Sequence, residues 1–144
     1  MEQLIEFSMH HIYLVGIFIV LLFLFIYVSF SSSGGVKSVS PIEVTSLLNH
    51  ENAIIIDVRE QIEFDKGHIL NSKHIPIKNI TDQIDKLKKK YVEKPVIVGC
   101  QSGYRSVSIC KQLVKAGFER VYNLDGGIAA WQSASMPMRK NQKS

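Results

Sequence analysis

Val96-Ile97-Val98-Gly99-Cys100-Gln101-Ser102-Gly103-Tyr104-Arg105-Ser106 is the stretch on which the reading of this chain turns. Its first four residues form an unbroken apolar run, the pattern of a short strand buried on both faces. From Ser106 to Ala116 the apolar residues Val107, Ile109, Cys110, Leu113 and Val114 recur at helical spacing. A strand that ends in a tight loop and feeds straight into a helix aims several backbone N–H groups at one point. The helix N-terminus adds about half a positive charge there. A cysteine so placed is favoured as thiolate, so Cys100 is expected to titrate below the ordinary value of about 8.5. One exposed helix end contributes only about 0.3–1 kcal/mol, so the amides of Gln101 to Ser106 and the Arg105 guanidinium must supply the larger part. Gly103 suits a loop that needs a positive φ. The plain alternative is a buried, unreactive cysteine at a strand end.

Outward from that loop, helical and strand patterns alternate. Ser40-Pro41-Ile42-Glu43 is a capping-box start with proline at the first helical position, leading a helix to about Asn49. Strand patterns fall at Ala53 to Asp57, Lys73 to Ile75 and Arg120 to Tyr122. Helical patterns fall at Glu60 to Lys66, closed by Gly67, at Asn79 to Tyr91, and at Ile128 to Ala134. Alternation of this kind predicts an α/β fold with a mostly parallel sheet covered by helices on both faces. In such sheets ligands bind beyond the carboxyl ends of the strands, where Cys100 falls. Asp57 and Arg59 share a face at one strand end by period two. Cys100 and Cys110 are the two cysteines; ten residues apart in one loop–helix unit, they are neither a metal spacing nor a disulfide framework. Cys110 lies on the apolar stripe and reads as core, and no metal or cofactor is expected.

The N-terminal part is of another kind. Fifteen of the nineteen residues from Ile12 to Phe30 are Leu, Ile, Val or Phe and none is charged. As a helix this run is about 28 Å long, the thickness of a bilayer core. Tyr13 and Tyr27 stand near its ends, as interfacial aromatics do. The sequence therefore predicts a leader over 1–11, a transmembrane helix over 12–30, a flexible linker over 31–36, a folded domain over 37–138 and a basic tail over 139–144. The leader carries Glu2 and Glu6 and no basic residue, the reverse of a signal-peptide n-region. All seventeen Lys and Arg lie at Lys37 or later. That asymmetry predicts a single-pass inner-membrane protein with its N-terminus outside and its domain in the cytoplasm. Lys88-Lys89-Lys90 and Arg139-Lys140 could touch anionic lipid, a solvated helix face being the ordinary reading.

Three segments resemble the rhodanese-like sulfurtransferases in order and spacing: the loop Cys100 to Ser106; Ile56-Asp57-Val58-Arg59 with Glu63-Phe64, Gly67-His68-Ile69 and Ile75-Pro76; and Asn123-Leu124-Asp125-Gly126-Gly127-Ile128 with Ala130-Trp131. The resemblance spans roughly Val36 to Met138 and implies that family's three-layer sandwich. It implies that Cys100 carries a sulfane sulfur as a persulfide between a small sulfur donor and a thiol or other nucleophile. Gln101, Ser102, Gly103, Tyr104, Arg105 and Ser106 would then bind the anionic donor, and Asp57, Arg59 and Glu63 would brace the site as charge pairs. Four residues separate Cys100 from Arg105, which resembles the sulfur-sized loop rather than the wider cradle of cysteine phosphatases. Gln101 stands where a basic residue would favour a dianionic donor such as thiosulfate. The competing function is a membrane-tethered binding module that presents the fold to a membrane protein partner. A lipid bilayer is an expected partner and nucleic acid is not.

Overall fold

The computed structural model describes residues 1–31 and 36–141, without the side chains of 4, 8 and 29–31. The chain divides into two compact units, residues 1–34 and 35–144. The first holds helices α1 (Glu2–His10) and α2 (Ile12–Ser31), with the Phe7 and His11 rings in contact where one gives way to the other. Among the described residues no helix is long and apolar enough to cross a membrane. The transmembrane helix expected over 12–30 is thus not supported by the described residues, the side chains of α2 being described only over 12–28. The leader expected over 1–11 is mostly helical, and the linker expected over 31–36 lies largely outside the described residues.

The second unit runs, in chain order, β1 (Lys37–Val39), α3 (Pro41–Glu51), β2 (Ile54–Asp57), α4 (Gln61–Lys66), β3 (His68–Ile69), β4 (Lys73–His74), α5 (Ile77–Tyr91), β5 (Val96–Gly99), α6 (Arg105–Lys115), β6 (Val121–Leu124), α7 (Gly127–Ser133) and β7 (Met138–Arg139). Five strands form one sheet in the order β1-β6-β5-β2-β4, every pairing parallel. The capping box at α3 forms as its sequence dictates: Ser40 N–H donates to Glu43 Oε2 at 2.7 Å and Glu43 N–H to Ser40 Oγ at 3.3 Å.

Strand alternation sorts the apolar side chains into two cores. Ile56, Val96, Val98 and Val121 pack with Ile80 and Leu87 of α5 and with Ile109 and Leu113 of α6. Ile55, Ile97 and Leu124 pack on the other side with Val44 of α3 and with Ile128 and Trp131 of α7. Both faces are covered, which is why the strands read as unbroken apolar runs rather than as alternation. Each such side chain, taken fully out of water, contributes about 1.5–3 kcal/mol.

The α/β architecture with a parallel sheet is as the alternation predicts. Three strands were not anticipated. β1 is a three-residue edge strand, and its partly polar Lys37-Ser38-Val39 takes strand form by pairing with β6. β3 and β7 form a separate antiparallel pair, His68 opposite Arg139 and Ile69 opposite Met138. The expected tail from 139 therefore begins inside a strand. β6 runs on to Leu124, two residues past the expected end. What matters for chemistry is β5: central in the sheet, it ends at Gly99 and delivers Cys100 to the carboxyl edge.

Candidate functional site

Cys100 sits immediately after β5, with its thiol turned into the loop that follows. Gly103 N–H donates to Cys100 Sγ at 3.1 Å, and Ser106 Oγ lies 3.4 Å from it. Gly103 adopts φ 90°, the left-handed conformation its sequence suggested. Burial by itself pushes the thiol pKa up. The Ser106 hydroxyl and the backbone N–H groups of Ser106, Ser102 and Gly103 outweigh it, and Cys100 ends below its ordinary value. Cys110 has burial without that compensation and is pushed up to about 12. The loop thus favours the thiolate at Cys100, and burial disfavours it at Cys110.

The loop is seated on the start of α7. Ile128 N–H donates to the Cys100 carbonyl at 2.8 Å and Ala129 N–H to the Gln101 carbonyl at 3.1 Å. So close an approach leaves no room for a side chain: a Cβ on Gly127 would stand 2.3 Å from the Cys100 carbonyl oxygen, and φ there is 62°. Asn123, near the end of β6, is the second support. Its Nδ2 donates to the Gly103 carbonyl at 3.1 Å, and its Oδ1 accepts from Ser106 Oγ at 2.5 Å. Ser106 has a single proton to give. With Cys100 protonated, the proton goes to Asn123, and the thiol can point at Ser106 Oγ. With Cys100 ionised, the hydroxyl can turn to the sulfur. Asn123 carried no assigned role in the sequence reading. The available signal was a polar residue inside the strand Val121-Tyr122-Asn123-Leu124, since a buried amide requires partners.

Two ion pairs of unequal kind flank the loop. Asp57 and Arg59 are buried, and Arg59 Nε and Nη2 make contacts of 2.8–3.1 Å with the two carboxylate oxygens. Arg59 also donates to the Gly67 carbonyl at 2.8 Å and to Gln101 Oε1 at 3.2 Å. It ties the end of β2, the end of α4 and the loop together, and removing one member of such a buried pair typically costs about 3–5 kcal/mol. Glu63 and Arg105 form the other pair, Nη2 to Oε1 at 2.9 Å and Nη1 to Oε2 at 3.2 Å, half-exposed at the surface. The Arg105 hydrogen bonds hold the Glu63 carboxyl below its usual value against a smaller opposing effect of burial, and the Glu60 N–H adds to the lowering.

The structure brings Cys100, Gln101, Gly103, Arg105 and Ser106 around one point, with Asp57, Arg59 and Glu63 behind them. Tyr104 is exposed, and Ser106 is buried against the sulfur rather than presented at the surface. Cys100 has no exposed surface either, so a reactant must displace side chains to reach it. A cavity of about 300 Å³ beside the loop is lined by Arg59, Glu63, Lys66, Gly67, Gln101 and Gln132. A larger one, about 530 Å³, opens near the start of β2 among Leu48, Ala53, Ile69 and Trp131, and Cys100 does not line it. Cys100 does not line the smaller cavity either, which reaches its loop through Gln101. His68 and His74 stack on Phe64 and make ring-nitrogen contacts with the Phe64 and Arg59 carbonyls, which accounts for both without a catalytic role.

The rhodanese-like domain family matches residues 40–134. Thiosulfate sulfurtransferase GlpE of Coxiella burnetii (strain RSA 331 / Henzerling II) is 35% identical, over 67% of this chain and 88% of its own length. The uncharacterized protein YibN of Escherichia coli (strain K12) is 33% identical over 96% of this chain and 97% of its own. The crystal structure of a rhodanese-related protein from Thermoplasma volcanium superposes with a TM-score of 0.60 at 28% identity, covering 72% of this chain and 97% of that one.

Alkylation with iodoacetamide at pH 7, located by peptide mass, is expected to label Cys100 and leave Cys110 unmodified; labelling of both at similar rates would contradict the assigned environments. Gly127→Ala is expected to destabilise the protein by about 2–4 kcal/mol through strain at φ 62° and collision with the loop carbonyls, measured by urea unfolding followed through Trp131 fluorescence.

Proposed function

Because the chain belongs to the rhodanese-like domain family, we propose that it is a membrane-anchored sulfurtransferase that loads a sulfane sulfur onto Cys100 and passes it to a thiol. The observation that carries this reading is the Cys100 sulfur itself. It is held by Gly103 N–H, lowered in pKa by the loop amides, and followed at four intervening residues by Arg105. That loop has the size of a sulfur cradle and the polarity to hold an anion at its centre.

The chemistry balances without a cofactor. The Cys100 thiolate attacks the outer sulfur of the donor, and a new S–S bond forms as the donor's S–S bond breaks. The leaving group departs with the bonding pair, as sulfite from thiosulfate or as a thiolate from a persulfide. A nucleophilic acceptor then takes the same outer sulfur and returns Cys100 to thiolate. Gly103 N–H and the neighbouring amides favour the anionic sulfur on both sides of each step. The relative GlpE carries the name thiosulfate sulfurtransferase, which supports the reaction class.

Anchoring in a membrane is supported by α2. Its described large apolar residues over 12–28 are exposed around the whole helix, from Leu14 and Val15 to Tyr27 and Val28, and it bears no charged residue. An all-round apolar helix in water is unstable unless something apolar covers it. Similarity to YibN over nearly the whole of both chains includes this segment. The position of every basic residue from Lys37 onward favours the domain on the cytoplasmic side of an inner membrane and the N-terminus outside.

Intact mass of the full chain after incubation with a sulfane donor is expected to rise by one sulfur, to fall back on adding cyanide or a thiol, and to stay unchanged in Cys100→Ser. A folded protein that takes up no sulfur from any donor would point to a tethered binding module instead. Trypsin added to intact spheroplasts is expected to spare the domain; cleavage at Lys37 from outside would reverse the orientation.

A further inference from the structure

Arg105 is the one basic side chain of the loop, and Glu63 already holds it with two hydrogen bonds. Glu63 is itself fixed: its Oε2 accepts the Glu60 N–H at 3.0 Å as the third residue of the α4 capping box. The other guanidinium beside the loop, Arg59, is matched by Asp57 in a buried pair. Gln101 adds no charge, and its Oε1 is engaged by Arg59. Both arginines beside the loop are therefore balanced by carboxylates, and an ionised Cys100 leaves these five groups with one net negative charge. Lys66, exposed on the rim of the adjoining cavity, is the remaining cation lining it.

We propose that Glu63 sets the donor specificity of this site, turning it away from free dianions such as thiosulfate and toward donors whose sulfane sulfur is carried on a thiol, R–S–SH. The proposal rests on the sulfurtransferase reading and adds the class of donor to it. In the favoured reaction the thiolate attacks the terminal sulfur of R–S–SH, the S–S bond breaks, and RS⁻ leaves with the bonding pair. The proton stays on the transferred sulfur, so nothing is oxidised or reduced overall. A neutral or singly charged donor meets little repulsion at the cluster. A dianion meets it twice over, and each unit of like charge a few ångströms away slows approach by roughly three- to tenfold at intermediate screening.

The test compares an anionic with a neutral reagent at Cys100 in the detergent-solubilised full chain at low salt. The rate of iodoacetate divided by that of iodoacetamide reads the local charge without requiring sulfur transfer. The ratio of sulfur loading from thiosulfate to loading from a small uncharged organic persulfide reads the donor preference. Glu63→Gln keeps an oxygen for the Glu60 N–H and removes the charge, and it is expected to raise both ratios about fivefold or more. Glu63→Asp keeps the charge and is expected to stay within about twofold of the parent. In the parent, added salt is expected to raise both ratios, a reading that needs no variant. Ratios that move by less than about twofold in Glu63→Gln and are flat with salt, while sulfur loads normally, overturn the role of Glu63 alone. Absence of sulfur loading from either donor overturns the sulfurtransferase reading, and the donor assignment with it, whatever the alkylation ratio shows.

Discussion

The site depends on two hydrogen bonds that never touch the sulfur, from Ile128 and Ala129 at the start of α7 to the carbonyls of Cys100 and Gln101. A peptide plane has two ends, and a loop can turn its N–H groups inward only if its carbonyls find partners elsewhere. Helix α7 supplies them, using N–H groups of its first turn that would otherwise lack acceptors. Gly127 permits the approach, and Asn123 secures Gly103 from the adjoining strand. The inward N–H groups then act on the thiol. Loop, strand β6 and helix α7 form a single electrostatic device, although thirty residues of sequence lie across them.

Beside that device the two arginines do different work. Arg59 is locked by Asp57, Gly67 and Gln101 in a place that water does not reach, and its contribution is architectural. Arg105 stands at the surface with Glu63, where an exposed pair contributes on the order of 0–1 kcal/mol and partners can be exchanged. The buried pair fixes where the loop is. The surface pair governs which charges approach it.

How much of this was legible in the sequence follows from where the relevant interactions lie along the chain. The central strand, the loop and α6 are contiguous from Val96, and local pattern was enough to place Cys100 at a carboxyl edge. The capping box at Ser40 was equally local. By contrast, β1 takes its form from pairing with β6, more than eighty residues away, and β3 from pairing with β7. A two- or three-residue strand has no periodicity to read. Asn123 and Gly127 belong to the same class: their contacts with Ser106, Gly103 and Cys100 exist only after the sheet has formed. The resemblance marked their segment as important, and the geometry gives the reason. The apolar run from Ile12 was visible at once, and the described large apolar side chains of its helix over 12–28 are exposed.

The contact between Gly127 and the loop has a kinetic side. With its carbonyls bonded to α7 and no side chain between them, the loop cannot open at the backbone without breaking those bonds. Yet Cys100 is sealed at rest. Access then requires the residues that cover it to move, and side chains turn on torsional rather than hinge-like coordinates. Rotamer changes of exposed residues take picoseconds to nanoseconds, against microseconds or longer for collective motions. Of the two routes to this cysteine, side-chain rotation is therefore the faster.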